Sequence, residues 1–284
     1  MSPDTVSSKH GSLLVIATPL GNLSDLSQRA ARAIAECDLL LCEDTRVTRK
    51  LISHLGARVE LKSHHEHNEE EMLEFVLARL ESGQTVGLVS DAGTPLLADP
   101  GFPLVRAARK RGFRVEPVPG PFAGVAALSA SGIAPVPFCF LGFVPRKRSE
   151  RKELFRSLPS LGMTSVVFES PHRVMGCLED LENEHPGVEI VIARELTKIH
   201  EEILSGTVSE LLEQLRSRDR IRGEITIVIS AITREQSGSE DVGPDRLRAE
   251  FEELRSSGMK RTDAVKILSE RYGLQRRELY DKLL

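Results

Sequence analysis

From Ser12 onward the chain alternates short apolar runs with longer stretches whose apolar residues recur at helical spacing, and this alternation constrains the fold more than any other feature. Residues 12–18 (SLLVIAT) read as a buried strand, 25–34 as a helix, Leu39–Cys42 as a second strand and 48–55 as a second helix. The stretch 69–80 sets Met72, Phe75, Val76 and Leu80 on one helical face. Residues 85–90 and 115–118 read as strands, with 104–110 and 123–131 as helices. Strands separated by helices imply crossover units and a mostly parallel sheet, which binds ligands at the carboxyl edge of its strands.

Two glycines and several prolines between Gly132 and Pro145 break the pattern and mark a boundary. A second α/β series follows: strands at 138–141, 165–168, 189–193 and 224–229, and helices near 149–158, 173–183 and 208–216. The polar segment 233–244 reads as a linker. Beyond it, apolar and basic positions over 247–254, 264–268 and 279–284, separated by Gly258 and Gly273, predict three short helices of helix-turn-helix type. The expected organisation is α/β: two α/β domains (11–133 and 134–233) with a cleft between them, and a helical module at 244–284.

Composition narrows the function. Apolar residues make up 40% of the 284 but aromatic residues only 4%, so the cores are aliphatic and extensive base stacking is not available. A net charge of -4 excludes a protein that coats nucleic acid through charge alone, though not one that docks through local basic patches. Cys37, Cys42, Cys139 and Cys177 form no CxxC pair and read as reduced thiols. With no secretory pattern at the start and no long apolar run, a cytoplasmic protein without a membrane span is expected.

Three Gly/Pro-punctuated loops follow strands of the first block. They are Thr18-Pro19-Leu20-Gly21-Asn22-Leu23, then Ser90-Asp91-Ala92-Gly93-Thr94-Pro95 with Asp99-Pro100-Gly101, and Pro119-Gly120-Pro121-Phe122-Ala123. None is a dinucleotide fingerprint or a Walker loop. Each alone has a plainer reading: an ordinary strand-to-helix turn for the first, Asp91 as a cap in the second, and a rigid interdomain support for the third. Together on one sheet edge they read as the floor of a binding cleft.

These loops, with EDTR (Glu43–Arg46), HEHNE (65–69), ESPHR (169–173) and RELTKIHEE (194–202), resemble the tetrapyrrole-methylase-like superfamily, and more closely its 16S rRNA cytidine 2′-O-methyltransferase branch. The resemblance implies S-adenosylmethionine in the interdomain cleft, a homodimer, and the small ribosomal subunit as partner. It carries cofactor-binding roles to Pro19, Leu20 and Gly21, to Asp91, Ala92, Gly93 and Thr94, to Gly120, Pro121, Phe122 and Ala123, and to Glu169 and Ser170. Two positions depart from the family pattern: Phe122 where a smaller residue is expected, and Arg222 where lysine is more familiar.

Methyl transfer from a sulfonium needs alignment and no metal, but a ribose hydroxyl is a poor nucleophile and needs a proton acceptor or a polarising cation. Candidates are Glu43, Asp44, His65, His67, Glu195 and Lys198. Each has a plainer alternative: Asp44 as a helix cap paired to Arg46, the histidines in a polar loop, Lys198 in an ion pair. Arg146, Lys147 and Arg148 open a basic run that, with His172 and Arg173, is expected to face RNA phosphates or else solvent. The basic residues of the tail, Lys260, Arg261, Arg271, Arg276 and Arg277, add a second grip or serve a stability module. A methyltransferase for a tetrapyrrole precursor is the competing reading, and a non-enzymatic nucleic-acid-binding regulator the third.

Overall fold

The computed structural model describes residues 11–65, 67–232, 244–256 and 259–272, together with Leu279 and Leu283. The first five strands, β1 (Ser12–Ile16), β2 (Leu39–Cys42), β3 (Glu60–Ser63), β4 (Thr85–Val89) and β5 (Arg114–Val118), form one sheet in the order β3-β2-β4-β1-β5. Every pairing in it is parallel. Helices α1 (Gln28–Glu36), α2 (Thr45–Leu55), α3 (Glu69–Glu81) and α4 (Phe102–Lys110) make the crossovers. Leu13, Leu39, Leu41, Val86 and Leu88 pack with α3 and α4, whereas Ile16, Leu40 and Cys42 pack with α1 and α2. Burial on both sides explains why β2 is a continuous LLLC run.

The second sheet, in the order β6-β7-β10-β8-β9, is mixed. Its strands are β6 (Phe138–Phe143), β7 (Thr164–Glu169), β8 (Glu189–Arg194), β9 (Glu202–Thr207) and β10 (Ile225–Ile229). Only β6 and β7 run parallel; β10 is antiparallel to both β7 and β8, and β8 to β9. Consequently the end of β7 and the start of β10 lie at the same edge. Helices α6 (Arg148–Leu161), α7 (Val174–Glu184) and α8 (Val208–Arg216) cover one face around Phe155, Leu178 and Leu211. A Thr207–Glu210 capping box starts α8.

The helix that closes the first block, α5 (Ala123–Ala130), lies on the other face of the second sheet: Ala127 and Leu128 pack against Val166, Val191, Ala193 and Val228. This packing joins the helix of the first block to the second sheet through an apolar contact. Two helices of the tail, α9 (Pro244–Ser256) and α10 (Arg261–Tyr272), meet around Leu247, Val265 and Leu268, with Leu279 in the same cluster. The segment 233–243, Gly258, Gly273 and Arg276–Arg277 lie outside the described residues, as does Glu66.

Candidate active site

The three loops at the carboxyl edge of the first sheet are stitched to one another. Thr18 and Gly93 exchange backbone hydrogen bonds of 2.9 and 3.1 Å, joining the β1 loop to the β4 loop. The Ser90 hydroxyl donates to the Gly93 carbonyl at 3.0 Å, and the Thr94 hydroxyl reaches the Pro121 carbonyl at 2.9 Å. Gly93 sits at φ +84°, where a side chain is strained, and a Cβ on Gly120 would stand 2.8 Å from that of Ala17. The glycines are therefore required by close loop packing.

Between this edge and the second sheet lies a cleft of about 310 Å³. Leu20, Asp91, Thr94, Asp99, Phe122 and Ala123 line it from one side, and Phe143, Phe168, Glu169, Ser170, Glu224 and Thr226 from the other. A second recess shares Asp91 with it, and a third shares Gly21 with the second. One, of about 460 Å³, is lined by Pro19, Gly21, Lys50 and Asp91; the other, of about 670 Å³, by Gly21, Glu195, Lys198 and His200.

Phe122 is the ring that crosses the gap. It meets Phe140 edge-on at 5.0 Å and lies 6.0 Å from Phe168, which in turn stands 5.6 Å from Phe143. Gly124 makes room for it, since a Cβ there would come within 2.8 Å of the Phe122 ring. The large residue at 122 and the absence of a side chain at 124 thus form one packing unit. At the other departure, Arg222 is exposed, and its carbonyl accepts a hydrogen bond from Arg194 at 3.2 Å.

The charges on the two walls are handled differently. On the second-domain side, both oxygens of buried Glu169 are taken by Arg173, each at 2.7 Å, and Oε1 also accepts from the Ser170 amide. Arg173 donates in addition to the Val144 carbonyl, so its guanidinium braces this loop rather than facing outward. Lys198 Nζ lies 3.0 Å from Glu195 and 3.2 Å from Glu224. Burial opposes the charge on both Lys198 and Glu195, but their hydrogen bond, the Glu224 contacts and the neighbouring charges together outweigh it: Lys198 is held above its ordinary pKa and Glu195 below. That is the reverse of what a proton-accepting lysine needs. Glu195 and Thr197 hold left-handed backbone at φ +53° and +65°, and Thr197 accepts from the Asn22 amide at 3.2 Å, pinning this loop to the first domain.

On the first-domain side, Asp44 is the N-cap of α2 and pairs with Arg46 at 2.6 Å, and the hydrogen bond from Arg46 lowers its pKa to about 2. It is too weak a base for proton abstraction near neutrality. Its amide donates to Asp91 at 3.1 Å. Burial raises the pKa of Asp91, and burial together with the nearby charges of Glu43 and Asp91 raises that of Asp99 to about 6. The Asp-Pro-Gly turn was legible in the sequence, but nothing there distinguished Asp99, because its isolation depends on three separate turns.

His65 and His67 stand with ring centroids 5.9 Å apart, outside the residues that line the cleft and its two recesses. The buried imidazole of this segment is instead His64, whose burial lowers its pKa. Among the described residues no group of three or more His, Cys, Asp or Glu is placed to hold a metal. In the basic run, Arg148 and Arg151 grip Asp180, Arg156 and Lys152 face Glu184, and Lys147 pairs with Glu150. Arg146 and His172 are exposed.

A two-domain fold with an apolar, acid-edged interdomain cleft defines a class that comparison identifies: the chain belongs to the family of tetrapyrrole (corrin/porphyrin) methylases, whose model matches residues 12–212. Within that class its similar relatives are proteins named ribosomal RNA small subunit methyltransferase I. That of Haemophilus influenzae is 39% identical, with 95% of each chain covered. That of Xylella fastidiosa is 41% identical over 95% of this chain and 98% of its own. Solved structures share the fold at lower identity. Diphthine synthase has a TM-score of 0.62 at 16% identity, covering 78% of this chain and 90% of its own. Cobalt precorrin-4 methyltransferase has a TM-score of 0.57 at 20%, covering 81% and 98%.

Proposed function

We propose that this protein transfers the methyl group of S-adenosylmethionine to the 2′-hydroxyl of a cytidine in 16S rRNA of the small ribosomal subunit. The observation that carries this reading is the correspondence along 95% of the chain with relatives that bear the small-subunit rRNA methyltransferase name. The cleft suits the cofactor on its own terms. Its volume lies in the range of small-molecule sites, rings from both domains offer a bed for adenine, and the glycine-lined loops let backbone approach a nucleoside. The acidic side chain of Asp91 complements a positively charged donor.

S-adenosylmethionine supplies an electrophilic methyl group on a sulfonium. The protein's own work is to hold donor and acceptor in line. In this reading Leu20, Asp91–Thr94 and Phe122–Ala123 bind from the first domain, while Glu169 and Ser170, stiffened by Arg173, close the site from the second. The recess at Gly21 and Lys50 receives the RNA strand beside the acceptor nucleotide, and Arg146, Lys147 and the helical module at 244–284 meet RNA phosphates. The protein acts in the cytoplasm as a homodimer, with domains at 11–133 and 134–233. Among the described residues no helix is long and apolar enough to cross a membrane.

The test is to incubate the protein with methyl-labelled S-adenosylmethionine and, in parallel, small ribosomal subunits, naked 16S rRNA or a precorrin-type macrocycle. Label on a ribose of subunit RNA is expected. Label confined to the macrocycle would overturn the substrate assignment, and an absence of cofactor binding would overturn the enzyme assignment.

A further inference from the structure

We propose that Asp99 is the group that takes the proton from the acceptor hydroxyl, an assignment that rests on the ribose-methylation reading above. The geometry singles it out by elimination among the carboxylates that line the cleft and its recesses. Glu169 is committed to Arg173 and the Ser170 amide, Glu195 and Glu224 to Lys198, and Asp44, outside the lining, to Arg46. Asp91 accepts from the Asp44 amide. Asp99 lines the same cavity yet makes no hydrogen bond or ion pair with any described residue. The titratable groups that face it are Glu43, from the turn after β2, and Asp91, at the end of β4. Both are acids, so no cation competes for its lone pairs.

The turn that carries it is fixed. Pro100 restricts Asp99 to extended backbone, and Gly101, at φ +119°, donates its amide to Glu69 at 2.7 Å. A Cβ on Gly101 would stand 2.7 Å from Leu88 and 2.9 Å from Leu96, so the turn packs directly on the first core. A carboxylate left unpaired on a rigid turn is costly to the fold, and such cost concentrates where chemistry needs it. Its pKa of about 6 leaves Asp99 ionised at neutral pH while making it a better proton acceptor than an ordinary carboxylate.

The step balances without a further reactant. The acceptor O–H bond breaks and its proton passes to an Asp99 carboxylate oxygen. The oxygen's electron pair forms the new O–C bond, and the C–S bond breaks with its pair returning to sulfur, leaving a neutral thioether. Asp99 then releases its proton to solvent.

Asp99→Asn tests the assignment, with three readouts on the full-length protein. Label transfer to small subunits at saturating cofactor is expected to fall about 100-fold or more, while cofactor affinity by calorimetry stays within about threefold of wild type. The limb of the wild-type rate profile that falls below about pH 6 should disappear, and Asp99→Glu should restore part of both rate and limb. Carbon-13 NMR of labelled aspartate should show one carboxyl titrating near pH 6 in wild type and absent from Asp99→Asn, a readout that requires no substrate. A rate loss that merely tracks lost cofactor affinity would make Asp99 a cofactor contact and overturn the proposal. So would an unimpaired rate, or a carboxyl titrating near its ordinary value. Wild-type protein that labels no ribose would remove the ribose-methylation reading, and this assignment with it.

Discussion

The two walls of the cleft are built on opposite electrostatic plans. On the second domain the charges at the site have partners, Glu169 with Arg173 and Lys198 with two glutamates, and the pairing continues away from it, Glu202 with Arg194 and Arg218 and Asp180 with Arg148 and Arg151. On the first, burial and the charges of Glu43 and Asp91 raise the proton affinity of Asp99, and burial raises that of Asp91. Paired charges hold a shape and gain little from a ligand. An acid without a partner in an apolar cleft, as Asp99 is, is destabilised until a cation or a proton arrives. The second domain thus reads as the brace and the first as the reacting edge.

Breaking the brace should give the largest effect. Asp180→Ala strands the buried Arg151 guanidinium and should cost about 3–5 kcal/mol in denaturant unfolding. A loss below about 1 kcal/mol would mean the pair is solvated and the contrast overstated. On the reacting edge, Asp91→Ala should weaken cofactor binding about 10- to 100-fold by calorimetry, as expected for a lost charged hydrogen bond, with little loss of fold stability.

The pH dependence separates the walls by sign. Asp99 has a folded pKa of about 6, above its unfolded value of 3.8, so its penalty on the fold is full above pH 6 and vanishes below about pH 4. Asp99→Asn should therefore be more stable than wild type at pH 8, with the gap closing as the pH falls towards 4. Glu202, whose pKa the hydrogen bond from Arg218 lowers to about 2, behaves oppositely. Its contribution is present above about pH 4.5 and lost as the pH falls towards 2, so Glu202→Gln should cost about 1 kcal/mol at pH 7 and nothing in strong acid. Melting curves from pH 8 down to about pH 2 decide both. The smallest effect expected is from Arg146→Gln with Lys147→Gln: a few-fold loss of RNA affinity, a salt slope reduced by about 2, and unchanged cofactor affinity.

The same contrast explains what could be read from the sequence. Strands buried on both faces, such as β1, β2 and β4, announce themselves as apolar runs, and the loops behind them are punctuated by Gly and Pro. The edge strands β3 (ELKS) and β9 (EILSGT) are half-exposed and carry no such run, so they escaped the pattern. The antiparallel course of β10 is set by pairing partners distant in sequence, which periodicity cannot report. For the same reason the loops of the cofactor cleft were visible while the partners of their charges were not. Whether Arg173 braces Glu169 or faces RNA, and whether Lys198 is a base or a tethered cation, depends on contacts that no local spacing encodes.

Calorimetric titration of S-adenosylmethionine into wild type, Asp91→Ala and Phe143→Ala tests the central claim most directly, because those two side chains come from opposite walls and neither is fully buried. A cofactor held by both domains at once predicts that each substitution weakens binding about tenfold or more. Wild-type affinity in Phe143→Ala, with Asp91→Ala impaired, would place the cofactor on the first domain alone and contradict the account.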